Sequence, residues 1–117
     1  MSRAIPLWAH VVVEMIAAPA IMVAPFLLGF EPGATVAAVT IGVLLLGHAL
    51  QVEGPRRTVP LSAHAGFDYV LALVSMIGGL GIGLVTGEWI AGVFLVGVGV
   101  AQAMLTASTR FSVVRGT

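Results

Sequence analysis

Six residues carry most of the chemistry open to this chain. "AHVVVE" (Ala9–Glu14) and "AHAGFD" (Ala63–Asp68) each place a His four residues before a carboxylate, giving the pairs His10–Glu14 and His64–Asp68. On a helix that spacing puts both members of a pair on one face, a turn apart. His48 and Gln102 add two more polar side chains inside long apolar runs. Three chemistries fit such a set. A carboxylate that accepts hydrogen bonds from His or from a neighbouring helix can fix how helices pack. Neutral imidazole is the commonest metal ligand, so His10, His48 and His64 are candidates for a divalent metal or for the axial positions of a haem. Glu14 and Asp68 could instead handle protons or a substrate, as carboxylates inside membrane spans do. No catalytic residue is assigned, and the soluble segments are too short to hold a catalytic domain, so the chain is not read as an enzyme in itself.

The elements that must position these residues are membrane spans. The chain has 117 residues, 59% of them apolar and 9% charged, with a mean hydropathy of +1.11. A soluble domain carries about 25% charged residues. The sequence holds no cysteine, which removes disulfides, thiolate metal sites and a cysteine nucleophile. Net charge is zero and no basic run occurs, so nucleic acid is not an expected partner. The first apolar segment is too long for a cleaved signal and contains Glu14.

Four stretches reach the roughly 20 apolar residues a spanning helix needs: Leu7 to Phe30, Thr35 to Val52, Leu61 to Val85, and Trp89 to Thr106. "EPGAT" (Glu31–Thr35) and "VTGEW" (Val85–Trp89) read as tight turns, and residues 53–60 as the one polar loop of any length. The expected fold is therefore all-α, a polytopic four-helix bundle forming a single transmembrane domain of two hairpins, about 7–52 and 61–106, with a short tail at 107–117. Arg3, Arg56, Arg57, Arg110 and Arg115 fall on the side of both termini and the middle loop, whereas the two turns carry only Glu31 and Glu88. The positive-inside rule then places both termini in the cytoplasm of a bacterial plasma membrane, with Trp8 at the inner interface and Trp89 at the outer one.

Shifting the chain by 54 positions (64 − 10) superposes the hairpins without a gap. His10 meets His64, Glu14 meets Asp68, Ala18 meets Ala72, Met22 meets Met76, Gly29 meets Gly83, Gly33 meets Gly87, and His48 meets Gln102. That register predicts parallel two-span repeats about an axis along the membrane normal. It also brings His10, His48, His64 and Gln102 to one cytoplasmic-side layer, with Glu14 and Asp68 about 6 Å deeper.

Small residues predict where helices touch. "GGLGIG" contains Gly79 and Gly83 four apart, a small-xxx-small face, and Gly42, Gly47, Gly92 and Gly97 suggest tight packing in spans two and four. Ala20 and Ala24 do the same in span one.

Glu14, a first-span carboxylate in a four-span chain, resembles the small multidrug resistance transporters, which exchange protons for cationic drugs as paired subunits. The chain departs from them in having a single tyrosine, Tyr69, and a one-sided arginine distribution. "APFLLGF" (Ala24–Phe30) resembles the turn motif of the SPW-repeat small bacterial membrane proteins, with Ala24 for Ser and Phe26 for Trp. That resemblance implies two-span repeats and no particular activity. The function expected from the sequence is that of a small accessory or assembly subunit. Its partners are the lipid bilayer and other transmembrane helices, from partner subunits or copies of itself. A haem- or metal-binding redox subunit and a proton-coupled carrier are the alternatives.

Overall fold

The computed structural model describes residues 4–53 and 61–111. Four helices follow in order: α1 (Leu7–Leu28), α2 (Pro32–Glu53), α3 (Leu61–Thr86) and α4 (Trp89–Ala107). All four are long and apolar enough to cross a membrane. Helices close their own backbone hydrogen bonds, which is what a hydrocarbon environment demands. The hairpin turns are shorter than the sequence predicts. Pro32 to Thr35 belong to the first turn of α2, because a proline lacks only an N–H that has no helical partner there. Between α3 and α4 only Gly87 and Glu88 lie outside helix. Gly29 (φ 71°) and Gly87 (φ 75°) end α1 and α3 in the left-handed region, which a residue without Cβ reaches freely.

Packing is most extensive within the hairpins, α1 on α2 and α3 on α4, while α2 meets α3 and α1 meets α4 more sparingly. This leaves α1 and α3 diagonally opposed. Much of the buried apolar surface is alanine, and Ala18, Ile21, Leu45 and Leu71 form one packed cluster. Large apolar side chains point outward instead, among them Ile16, Val36, Ile77 and Leu84. In lipid no hydrophobic force drives helices together, so contact falls to small residues that let backbones approach. A Cβ placed on Gly79 would lie 2.6 Å from the Gly92 carbonyl oxygen, and one on Gly92 would lie 2.7 Å from that of Gly79. Gly83 lies under the Trp89 ring, Gly42 against Ala18 and Met22, and Gly99 against Ala72 and Met76. The Gly79/Gly83 face is thus occupied by α4 of the same chain.

Gly47 and Gly97 correct the sequence expectation. Nothing lies within 4 Å of a Cβ at either position, because each falls on an outward face of its helix. Substitution of either by Ala should leave stability unchanged or raise it by up to about 1 kcal/mol. Gly42→Ala should lower it, and thermal unfolding in detergent distinguishes the two classes.

The packing environments of the hairpins correspond at a register that changes along the chain. Ala18 and Met22 against Gly42 match Ala72 and Met76 against Gly99. The offset is 54 on the first helices (72 − 18) and 57 on the second (99 − 42). α3 runs ten residues past Met76, whereas α1 runs six past Met22, one helical turn less. Gly29 therefore corresponds in conformation to Gly87, and Gly83 and Gly33 are both inside helices.

Both described chain ends meet at one end of the bundle. The Ile5 N–H donates to the Ser108 carbonyl and the Arg110 N–H to that of Ile5, each at 2.9 Å. At the opposite end the Glu31 N–H donates to Glu88 Oε2 at 2.8 Å, and the Phe30 and Phe94 rings meet edge to face at 5.6 Å. Arg3, Arg56, Arg57 and Arg115, which carry most of the charge asymmetry, lie outside the described residues.

Candidate functional site

The structure brings all six polar residues named from the sequence into one buried centre. His10, Glu14, His64 and Asp68 are each at most 1% exposed, and His48 and Gln102 are 7% exposed. Helical periodicity brings His10 Nε2 to 3.0 Å from Glu14 Oε2 within α1. The same nitrogen lies 3.0 Å from Asp68 Oδ2 across the bundle. His64 Nε2 lies 3.5 Å from Asp68 Oδ2 and 3.8 Å from Glu14 Oε1. α1 and α3 thus meet through these four side chains.

α2 and α4 supply the surround. Gln102 Nε2 donates to Glu14 Oε2 and to Asp68 Oδ1, both at 2.8 Å. His48 Nε2 lies 3.0 Å from the His64 carbonyl oxygen and 3.0 Å from Asp68 Oδ1. A carbonyl oxygen only accepts, so His48 Nε2 carries a proton and donates it to the His64 carbonyl, with the Asp68 carboxylate alongside. The His48 ring also stacks on that of His64, 3.5 Å between centroids at 12°.

Hydrogen-bond logic fixes His10 as well. Thr109 Oγ1 donates to the Leu105 carbonyl at 2.6 Å, so it accepts from His10 Nδ1 at 2.9 Å. With Nδ1 protonated, the hydrogen bond from His10 Nε2 to Asp68 Oδ2 at 3.0 Å uses a second ring proton, and removal of that proton leaves a lone pair on Nε2 aimed at the two carboxylates. Thr109 was not among the residues named from the sequence, nor was Thr106, which is 2% exposed with no partner for its hydroxyl. The signal was their spacing: Gln102, Thr106 and Thr109 mark one face of the helix and its end, four and then three residues apart. Phe111 was missed too; its ring closes the same end of the centre, with centroids 5.0 Å from His10 and 6.0 Å from His64.

Among the described residues, four buried atoms have no hydrogen-bond partner: Glu14 Oε1, both ring nitrogens of His64, and Thr106 Oγ1. Buried polar groups are otherwise nearly always paired. Two of the four, Glu14 Oε1 and His64 Nε2, face each other.

Fold and site together define an α-helical multi-pass membrane protein with a buried histidine–carboxylate centre near the end of the bundle where the described chain ends meet. Comparison with protein families, curated proteins and solved structures gave no match to this chain.

Proposed function

We propose that this chain is a small accessory or assembly subunit of the bacterial plasma membrane, and that α1 and α4 form the face that receives another transmembrane helix. The observation that carries this reading is a groove of about 390 Å³ between the two hairpins. Its walls include Ala17, Ala20 and Ala24 of α1 and Phe94, Val98 and Ala101 of α4. The three alanines follow one another at helical spacing, a surface on which an incoming helix can approach closely. The Gly79/Gly83 face does not serve this purpose, since α4 already covers it.

The reading includes two further elements. Both termini lie in the cytoplasm, which rests on the arginine asymmetry. The hairpins are copies of one unit, which rests on the paired His10/Glu14 and His64/Asp68 positions and on the matched environments of Gly42 and Gly99. A two-span unit of this kind is also what the resemblance to the SPW-repeat proteins implies.

Ala20→Leu and Ala24→Leu fill the groove at positions six and ten residues along α1 from Glu14, away from the end where Gln102 lines it. Extracted in mild detergent, the native chain should migrate as an assembly, and these variants should migrate as the single chain. Val36→Ala, on an outward face, serves as the control. An assembly of unchanged mass in both groove variants would count against the proposal. Mass spectrometry of the native assembly separates a partner subunit from a second copy.

A further inference from the structure

We infer that the buried centre is a binding site for one divalent transition-metal ion, ligated by His10 Nε2, Glu14, His64 Nε2 and Asp68. This goes beyond the assembly reading and does not depend on it.

Geometry is the first ground. One ligand atom from each of the four residues can be chosen so that all lie within 4.8 Å of one another. Tetrahedral bonds of about 2.0–2.2 Å to nitrogen and oxygen put neighbouring ligand atoms about 3.3–3.6 Å apart. The shortest His-to-carboxylate separations, taken over either Glu14 oxygen, run from 3.0 to 3.8 Å, so a small inward movement of the widest pairs closes the set on one ion.

Satisfaction of buried atoms is the second ground. Glu14 Oε1 and His64 Nε2 have no hydrogen-bond partner, and the 3.8 Å between them is too long for a hydrogen bond. An ion between them gives each a partner. Thr109 holds a proton on His10 Nδ1, so an ion that displaces the Nε2 proton meets a lone pair aimed into the same space, which is how an outer-shell hydrogen bond orients a metal-bound histidine.

Charge is the third. With the Nε2 proton of His10 displaced by the ion, two ionised carboxylates and two neutral imidazoles sum to a charge of minus two, which M²⁺ cancels. Neutrality matters at this depth because uncompensated buried charge is expensive. Nitrogen and oxygen donors in equal number, with no sulfur, suit Zn²⁺, Fe²⁺ or Mn²⁺.

The ligand set revises the one drawn from the sequence. His48 stands outside the ligand set, because its Nε2–H is committed to the His64 carbonyl. Gln102 stands outside it too, donating to both carboxylates. Carboxylate oxygens at 3.0 Å fill the space before His10 Nε2, which suits a single ion and not a macrocycle.

The test uses the full chain in detergent, stripped with a chelator and titrated calorimetrically with Zn²⁺. One ion should bind per chain, and Co²⁺ should give the intense visible bands of four-coordinate cobalt. His64→Ala and Glu14→Gln should each weaken Zn²⁺ binding by more than Thr109→Val, an outer-shell change worth about 10–100-fold. Circular dichroism and elution volume confirm that each variant is folded. If a ligand variant does not fold, the native titration and the cobalt spectrum decide. Absence of stoichiometric zinc in the folded native chain, a six-coordinate cobalt spectrum, or an affinity unchanged in folded His64→Ala would overturn the assignment. Loss of metal binding with an intact native assembly would leave the subunit proposal standing.

Discussion

Asp68→Ala should lower the stability of the metal-free bundle by about 3–5 kcal/mol, the usual loss when one partner of a buried charged network is removed. Asp68 is fully buried and lies within 3.0 Å of His10 Nε2, His48 Nε2 and Gln102 Nε2. An alanine there takes away the acceptor and leaves the donors buried without it. Donors without acceptors in such surroundings bear most of their desolvation penalty. The thermal midpoint in detergent reads the effect, and a midpoint within a degree of the native value would show that the layer does not hold the helices. Replacing Glu14, His10, Asp68 and Gln102 together by apolar residues of similar volume should be far milder, since it removes donors and acceptors at once.

Gly79→Leu should separate α3 from α4. A Cβ at position 79 would already stand 2.6 Å from the Gly92 carbonyl oxygen and 2.8 Å from Leu95 Cβ and Val96 N. Two of these are backbone atoms of the facing helix, so no rotamer change relieves the clash. Gly79→Ala alone should cost about 1–3 kcal/mol, the range for overpacking a close contact, and the longer leucine more. Gly81→Ala is the matched control, because nothing lies within 4 Å of its Cβ. Equal unfolding midpoints for Gly79→Ala and Gly81→Ala would contradict the close approach. The effect is expected within a single chain, so dissociation of an assembly by leucine at Gly79 or Gly83 would not by itself report a contact with a partner.

Much of the centre was legible before any coordinates. The i, i+4 spacing placed each His and its carboxylate on one face, and the cost of exposing a carboxylate to lipid turned that face inward. The alternation of span direction set His48 and Gln102 at the same depth. What escaped was chemistry that depends on neighbours. Thr109 is an ordinary threonine past the last helix until its hydroxyl is seen to donate to Leu105 and accept from His10. His48 carried the same promise as the other two histidines until a backbone carbonyl was found against its Nε2.

The sequence by itself determined four apolar helices in two hairpins and the inventory of polar groups they must bury. Those features follow from local physics: twenty apolar residues fill a bilayer, glycine and proline end helices, and a 3.6-residue turn sorts side chains onto faces. Only the tertiary structure decided how the glycines divide between helix contacts and open surface, because Gly42 and Gly47 look alike in sequence and differ in which neighbour stands opposite. It alone revealed the extra turn in α3 that shifts the register of the second hairpin. It also decided which of the buried side chains converge on one point and which hydrogen-bond around them. That distinction depends on distances of about 3 Å between helices far apart in the chain, which no spacing along a single helix encodes.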